Sequence, residues 1–277
     1  MPQSLLVVDA DPAAHDSLRT LLRREDRQIL DAYDGAEALE CARRIPCDLV
    51  VAAQKRNGLN GIQLLRRLSA LRPIPRVILC GDHDPAAVVA ALRAGAFSYF
   101  HQAPPPGPLA DMVQLALDSA SWRDDVKLVS ASAEWIALKV RCKLDAAERA
   151  TQFVREMEAD LPCAACEDIA AAFRELLFNA VEHGGECNPR KHVRVSLLRA
   201  RRALMVHIQD PGKGFSMNLL PHAAIGNPDG EPTRHAELRA ERGQRPGGFG
   251  ILIARSLVEE ILYNKLGNEV MFVKYLK

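Results

Sequence analysis

The sequence predicts an α/β chain in two parts: a doubly wound, five-stranded parallel sheet, then an α+β sandwich. Three observations predict this. Over residues 1–120, short apolar runs alternate with segments of helical period, the pattern of a parallel sheet covered on both faces. After Val126 the strict alternation stops, and strands and helices come in unequal runs. The chain has 277 residues, against roughly 100–200 for a typical single domain. The polar stretch "SASWRDD" at 119–125 falls between the two rhythms and divides the chain into domains 1–121 and 122–277.

In the first domain the apolar runs Leu5–Val8, Gln28–Ala32, Asp48–Ala53, Arg76–Cys80 and Ser98–His101 read as strands. Ala13–Arg24, Ala36–Arg44, Ile62–Leu71, Pro85–Ala94 and Leu109–Ser119 read as the helices between and after them. Gly95 suits the C-terminal cap of the fourth helix, and "APPPGP" at 103–108 reads as a strand-to-helix loop. In the second domain Lys127–Ser130, Trp135–Cys142, His192–Leu198, Ala203–Gln209 and Glu269–Tyr275 read as strands. Ala146–Ala159 reads as a helix capped by Asp145, Glu167–His183 as a long helix, and Gly250–Val258 as a last one. Residues 211–247 are rich in Gly, Pro and charge and too long for a turn, and they are expected to form a mobile lid.

Composition excludes several classes of function. A net charge of +1 demands no polyanionic partner, so no nucleic-acid role is expected. No apolar run approaches the ~20 residues of a membrane span. The opening "MPQSLLVVDADP" has no basic region ahead of its apolar run and reads as a first strand rather than a signal peptide. Seven scattered cysteines fit a reducing, cytoplasmic setting. The pair "CAAC" at 163–166 has metal spacing but lacks a second pair at a fitting distance.

Three clusters in the second domain point to chemistry. In "RELLFNAVEHG" at 174–184, Glu175, Asn179 and His183 are spaced by four and share one helical stripe. "QDPGKGF" at 209–215 sets Asp210 at a strand end, followed by Gly212 and Gly214, which let a flat ligand approach the backbone. Asp-Pro-Gly is equally good turn chemistry. "RPGGFG" at 245–250 opens a helix with glycines, and free backbone N–H groups there make an anion seat.

Together, in this order, the clusters resemble the N, G1 and G2 boxes of the GHKL ATP-binding fold. "FRELLFNAVEHGG", "DPGKGF", the opening "SASAEWIALKVRC" and the tail from Val258 are most similar to its anti-sigma-factor serine/threonine kinase branch. The resemblance implies ATP and Mg²⁺ as cofactors. It makes Asn179 the Mg²⁺ ligand and Glu175 the general base toward a partner's Ser or Thr hydroxyl. It also sets Asp210 on the adenine amino group, Gly212 and Gly214 beside the purine, and Gly248 and Gly250 at the phosphates. Arg245 is expected to reach the γ-phosphate, and His183 to be a structural residue of the helix end. The last strand, "NEVMFVKYL", departs from the pattern in offering no Thr or Ser near the phosphates. Histidine-kinase chemistry is disfavoured because no histidine lies between residues 103 and 182, where a phosphoacceptor helix would sit.

The first domain resembles response-regulator receivers, a flavodoxin-like fold, through "LLVVDADP", "CDLVVAAQKRNGLNGIQLL", "RVILCGD" and "AGAFSYFHQAP". The site of such a sheet lies at the carboxyl ends of its strands. There Asp9 is kept, Ala10 replaces the second acid and Asp11 follows. Ala53 stands at the phosphoacceptor position, Cys80 at the hydroxyl position and Gln102 at the lysine position. Alanine offers no carboxylate nucleophile, so a pseudo-receiver is expected, with Lys55 close to Asp9 or Asp11.

The function expected is that of a partner-switching regulator. Its second domain would phosphorylate a STAS-type anti-anti-sigma partner, with a sigma factor as a further partner. The pseudo-receiver would serve for docking or homodimerisation through its fourth and fifth helices. A nucleotide-bound docking module without transfer, and a histidine-kinase-like fragment, are the alternatives.

Overall fold

A computed structural model describes residues 3–54, 59–71, 74–101, 104–132, 134–214 and 249–276. It divides into two compact units: Met1–Arg123 with Gln152–Asp160, and Asp124–Thr151 with Leu161–Lys277. Among the described residues no helix is long and apolar enough to cross a membrane.

The first unit is a five-stranded sheet of order β2-β1-β3-β4-β5, parallel throughout. Its strands are β1 (Gln3–Val8), β2 (Arg27–Ala32), β3 (Leu49–Ala53), β4 (Arg76–Gly81) and β5 (Ser98–His101). The helices are α1 (Pro12–Leu22), α2 (Gly35–Arg44), α3 (Gly61–Leu68), α4 (Pro85–Ala94) and α5 (Pro106–Asp118). Helices α1 and α5 touch each other, as do α2 with α3 and α3 with α4. Leu5 to Val8 and Leu49 to Ala52 are wholly buried, which explains their uninterrupted apolar runs. One face of the sheet packs Leu5, Val7, Val51 and Ile78 with Leu18, Phe97, Leu109 and Trp122.

Short polar residues start the helices. Asp11, Asp34 and Asp84 accept backbone N–H bonds at the openings of α1, α2 and α4, and Asn60 forms a reciprocal capping box with Gln63 on α3. Gly95 closes α4 in the left-handed region (φ 86°), as its sequence position suggests. The outer edge of β5 is not bare. Gln152 Nε2 donates to the Tyr99 carbonyl (3.2 Å), and the His101 N–H donates to Glu156 Oε2 (3.0 Å).

The second unit holds a six-stranded sheet of order β10-β11-β9-β8-β7-β6, antiparallel at every pairing. Its strands are β6 (Val126–Ala131), β7 (Trp135–Arg141), β8 (His192–Ala200), β9 (Ala203–Gln209), β10 (Glu260–Tyr263) and β11 (Glu269–Tyr275). Helix α6 (Leu144–Met157), whose residues from Gln152 on belong to the first unit, helix α7 (Cys163–Asn179) and helix α8 (Gly250–Leu257) complete the described elements. Alternate residues Val193, Val195, Leu197, Leu204, Val206, Ile208, Val270 and Phe272 are buried, and α7 lies against β9, β11 and α8.

Several expectations are corrected. Asp145 is not a cap ahead of its helix. It sits inside the first turn of α6, where the helix dipole favours a carboxylate and Lys143 Nζ lies 3.2 Å away. Helix α7 starts at Cys163, directly after Pro162, rather than at Glu167. It ends at Asn179 and passes into a π-helical turn over Ala180–Gly184, where the sequence suggests continuous α-helix to His183. Helix α5 begins at Pro106, inside the stretch read as a loop, because proline is tolerated in a first turn. Strand β10 was not expected at all. The segment read as a lid falls almost entirely on residues 215–248, outside the described residues, as do Lys55, Gln102, Arg245 and Gly248.

Candidate functional site

In the second unit, helix α7 delivers Glu175 and Asn179 one turn apart, and both face the opening of α8. A Cβ placed on Gly250 would lie 2.6 Å from Glu175 Oε2 and 3.5 Å from the Asn179 amide nitrogen. The sequence therefore brings one carboxylate and one side-chain amide to the glycine that starts α8. The Asn179 amide makes no hydrogen bond among the described residues, so its oxygen is free to serve a hard cation.

The other Glu175 oxygen, Oε1, lies 3.8 Å from Arg174 Nη1. Arg174 is itself gripped by both oxygens of Glu148 and covers the Phe178 ring at 4.4 Å. The pattern reading missed Arg174 and Glu148. They are 26 residues apart on different helices, so no local spacing announces the pair.

Asp210 ends β9 as expected. Its backbone N–H bonds the Asn268 carbonyl (3.0 Å), and its Oδ1 accepts the Gly212 N–H (2.7 Å). Its second oxygen accepts nothing among the described residues. Burial pushes the Asp210 carboxyl up from its usual range, while the Gly212 N–H and Lys191 pull it down less strongly. Gly184, at the end of the π-helical turn, packs so closely that any Cβ there would overlap the Asp210 carboxylate.

Gly214 has φ 80°, and a Cβ there would overlap the Leu266 carbonyl, so this position requires glycine. The turn it meets is held by Asn264, whose Oδ1 accepts the Gly267 and Asn268 N–H groups at 2.7 and 3.1 Å. Asn264 and Asn268 support the site from a segment that the sequence reading treated only as a tail.

The donor set suits a purine nucleotide. A partly desolvated carboxylate with an uncommitted oxygen matches an exocyclic amine, and the glycines leave the approach clear. Among the described residues no group of three or more His, Cys, Asp or Glu is arranged to hold a metal. An ion here would thus be held by the Asn179 amide with phosphate and water oxygens, the manner usual for Mg²⁺.

The first unit gathers its expected positions at the carboxyl ends of the strands. Asp9 closes β1, buried, and its Oδ1 accepts the Asp11 N–H (3.1 Å). Asp11 spends its own Oδ1 on the N–H of Ala13, capping α1. Ala53 and Cys80 stand side by side in register at the ends of β3 and β4, both buried. Two neighbours fill this end of the sheet and were missed. Gln54 follows Ala53 and bonds the Cys80 carbonyl through its N–H (2.6 Å). Tyr99 is wholly buried and donates its hydroxyl to the Asp82 carbonyl (3.0 Å), and burial pushes that phenol up.

Comparison with known proteins agrees with both halves. Residues 5–114 match the response regulator receiver domain, and residues 140–274 match the histidine kinase-like ATPase domain. The chain is similar to a DNA-binding response regulator, MtrA, of Mycolicibacterium smegmatis. The two are 35% identical over 117 residues, covering 42% of this chain and 51% of that protein. It is similar also to the response regulator GtcR of Aneurinibacillus migulanus, at 29% identity over 115 residues, covering 42% of this chain and 47% of that one. The chain thus spans about half the length of these curated relatives. Among solved structures, a CheY-like receiver domain protein from Methanospirillum hungatei is 26% identical. It covers 43% of this chain and 95% of its own, with a TM-score of 0.40. In order along the sequence, this chain carries a response regulator receiver domain and a histidine kinase-like ATPase domain.

Proposed function

We propose that this chain is a partner-switching signalling regulator whose second domain is an ATP-dependent serine/threonine protein kinase. Its partner would be a STAS-type anti-anti-sigma protein, with a sigma factor downstream. The observation that carries this reading is the meeting of Glu175 Oε2 and the Asn179 amide at Gly250, where α8 opens. Asp210 would hold the adenine, Asn179 the Mg²⁺, and the glycine-opened start of α8 the phosphates. Bound Mg-ATP supplies an electrophilic γ-phosphoryl group and a leaving ADP. Glu175 takes the proton from the partner's Ser or Thr hydroxyl as its oxygen bonds to phosphorus. The lack of histidine between residues 103 and 182 favours a hydroxyl on a partner over a phosphorylated histidine on this chain.

In the same reading the receiver takes no phosphate, because Ala53 has no nucleophile, and it acts by docking. The test is incubation with γ-labelled ATP and a STAS-domain protein. The expected result is acid-stable label in the partner, reduced on the order of 10²–10⁴-fold by Glu175→Gln while calorimetric ATP binding persists. Binding with no label would reduce the domain to a nucleotide-set docking module, and acid-labile label would make it a histidine-directed kinase.

A further inference from the structure

Two consecutive glycines close the π-helical turn, and each packs on a different side chain. A Cβ on Gly184 would overlap the Asp210 carboxylate, and a Cβ on Gly185 would lie 2.4 Å from Cys142 Sγ. Cys142, directly after β7, is wholly buried, and its backbone N–H donates to the Lys191 carbonyl (3.0 Å). The loop 185–191 thus wraps this thiol from Gly185 to Lys191. Cys187 stands exposed on that loop. Its N–H donates to the Val181 carbonyl (3.0 Å), and the same carbonyl oxygen lies 2.8 Å from the Gly185 Cβ position that meets Cys142 Sγ. The two cysteines are therefore gathered around one point of the loop, although far apart in sequence.

The backbone there is strained. Glu186 and Cys187 are the only non-glycine residues with positive φ among the described residues, at 57° and 48°. Two left-handed residues in a row, each with a Cβ, store strain at the cysteine that the loop exposes. The partner thiol is chemically different. Burial pushes Cys142 up to about 11; Lys191 draws it down, and Asp210 and Cys187 push it up further. Cys142 thus keeps its proton at neutral pH and is sealed from solvent, while Cys187 meets whatever the solvent carries.

We propose that Cys187 and Cys142 form an oxidation site for hydroperoxides, which closes to a disulfide beside the nucleotide pocket. The Cys187 sulfur attacks one peroxide oxygen, the O–O bond breaks, and the other oxygen leaves as water or an alcohol. Two electrons pass from sulfur to peroxide, and Cys187 becomes a sulfenic acid. The Cys142 sulfur then bonds to the Cys187 sulfur, the S–O bond breaks, and the hydroxyl leaves as water with the Cys142 proton. A thiol reductant reverses the bond by exchange. Closure draws Cys187 inward and shifts the Gly184–Gly185 corner on which the Asp210 carboxylate rests. On the reading of Asp210 as the adenine acceptor, on which this consequence rests, the disulfide lowers nucleotide affinity.

Treatment of the full, reduced chain with hydrogen peroxide, followed by peptide mapping by mass, tests the site. The expected result is a bridge between Cys142 and Cys187, a loss of about 2 Da for two hydrogen atoms. Cys187→Ser should remove that bridge. Cys142→Ala should stop at a sulfenic acid on Cys187, captured by a dimedone-type carbon nucleophile. Peroxide that leaves Cys187 unmodified in the parent chain, or joins it to another cysteine, overturns the proposal. Calorimetry with Mg-ATP reads the consequence separately. Oxidation should lower affinity roughly tenfold in the parent chain, reversibly with dithiothreitol, and leave Cys187→Ser unchanged. A bridged chain that binds Mg-ATP as well as the reduced one overturns the coupling. A reduced chain that binds no nucleotide overturns the adenine reading, while the mapped bridge still stands.

Discussion

At the scale of single residues, Asp210 shows how burial sets chemistry. Its carboxyl is pushed up from 3.8 by burial ahead of any other influence, and one of its oxygens is spent on the Gly212 N–H. An adenine amine needs the ionised form as acceptor. Nucleotide affinity should therefore fall on acidification through Asp210's raised pKa, before an ordinary aspartate would titrate. Calorimetry with Mg-ATP across that range checks it. Asp210→Ala should cost about 2 kcal/mol, roughly thirtyfold in affinity, the worth of one hydrogen bond to a charged group. An unchanged affinity would remove Asp210 from the site. That Glu175 and Asn179 lie one turn apart on the same side of α7 was legible from their spacing by four. Arg174 was not, because its grip on Glu148 is a tertiary contact.

At the scale of elements, α6 carries Gln152 and Glu156 one turn apart, and both are buried against β5. Burial pushes Glu156 up to about 7, against the opposing pull of the His101 N–H, and burial also lowers His101. Both shifts favour neutral forms, so the 3.4 Å contact between His101 Nδ1 and Glu156 is not an ion pair in mild acid. The sign follows from linkage. The folded chain holds a proton on Glu156 that the unfolded chain releases above about 4.5. Stability from this group is thus complete below that pH, declines as pH rises toward about 7, and levels off beyond it, a loss on the order of a few kcal/mol. Denaturant melts between about pH 4.5 and 7 should show that decline, and Glu156→Gln should flatten it. A slope unchanged in Glu156→Gln would assign the effect to another group.

Strands with long apolar runs were readable because burial on both faces leaves no room for polar residues. Strand β10 was not, since its four residues begin with Glu260 and alternate too briefly to stand out. The π-helical turn has no compositional signature. Its extra residue per turn becomes visible only through what it accomplishes, the seating of Gly184 against Asp210.

At the scale of the whole molecule, both domains were legible, because each repeats one rhythm long enough to rise above local ambiguity. The loss of phosphate chemistry in the receiver is an expectation that rests on Ala53 alone. Incubation with a small phosphodonor such as acetyl phosphate should add no phosphate to the first domain, as read by intact mass. An acyl phosphate there would mean that Asp9 or Asp11 accepts in place of Ala53.

The borrowed edge of β5 has a consequence for how the chain is made. The first compact unit includes Gln152–Asp160, so it is incomplete when Arg123 leaves the ribosome. Until those residues follow, the Tyr99 carbonyl and the His101 amide have only water to bond. A fragment ending at Arg123 would keep that strand uncovered for good and would tend to add strands from its neighbours.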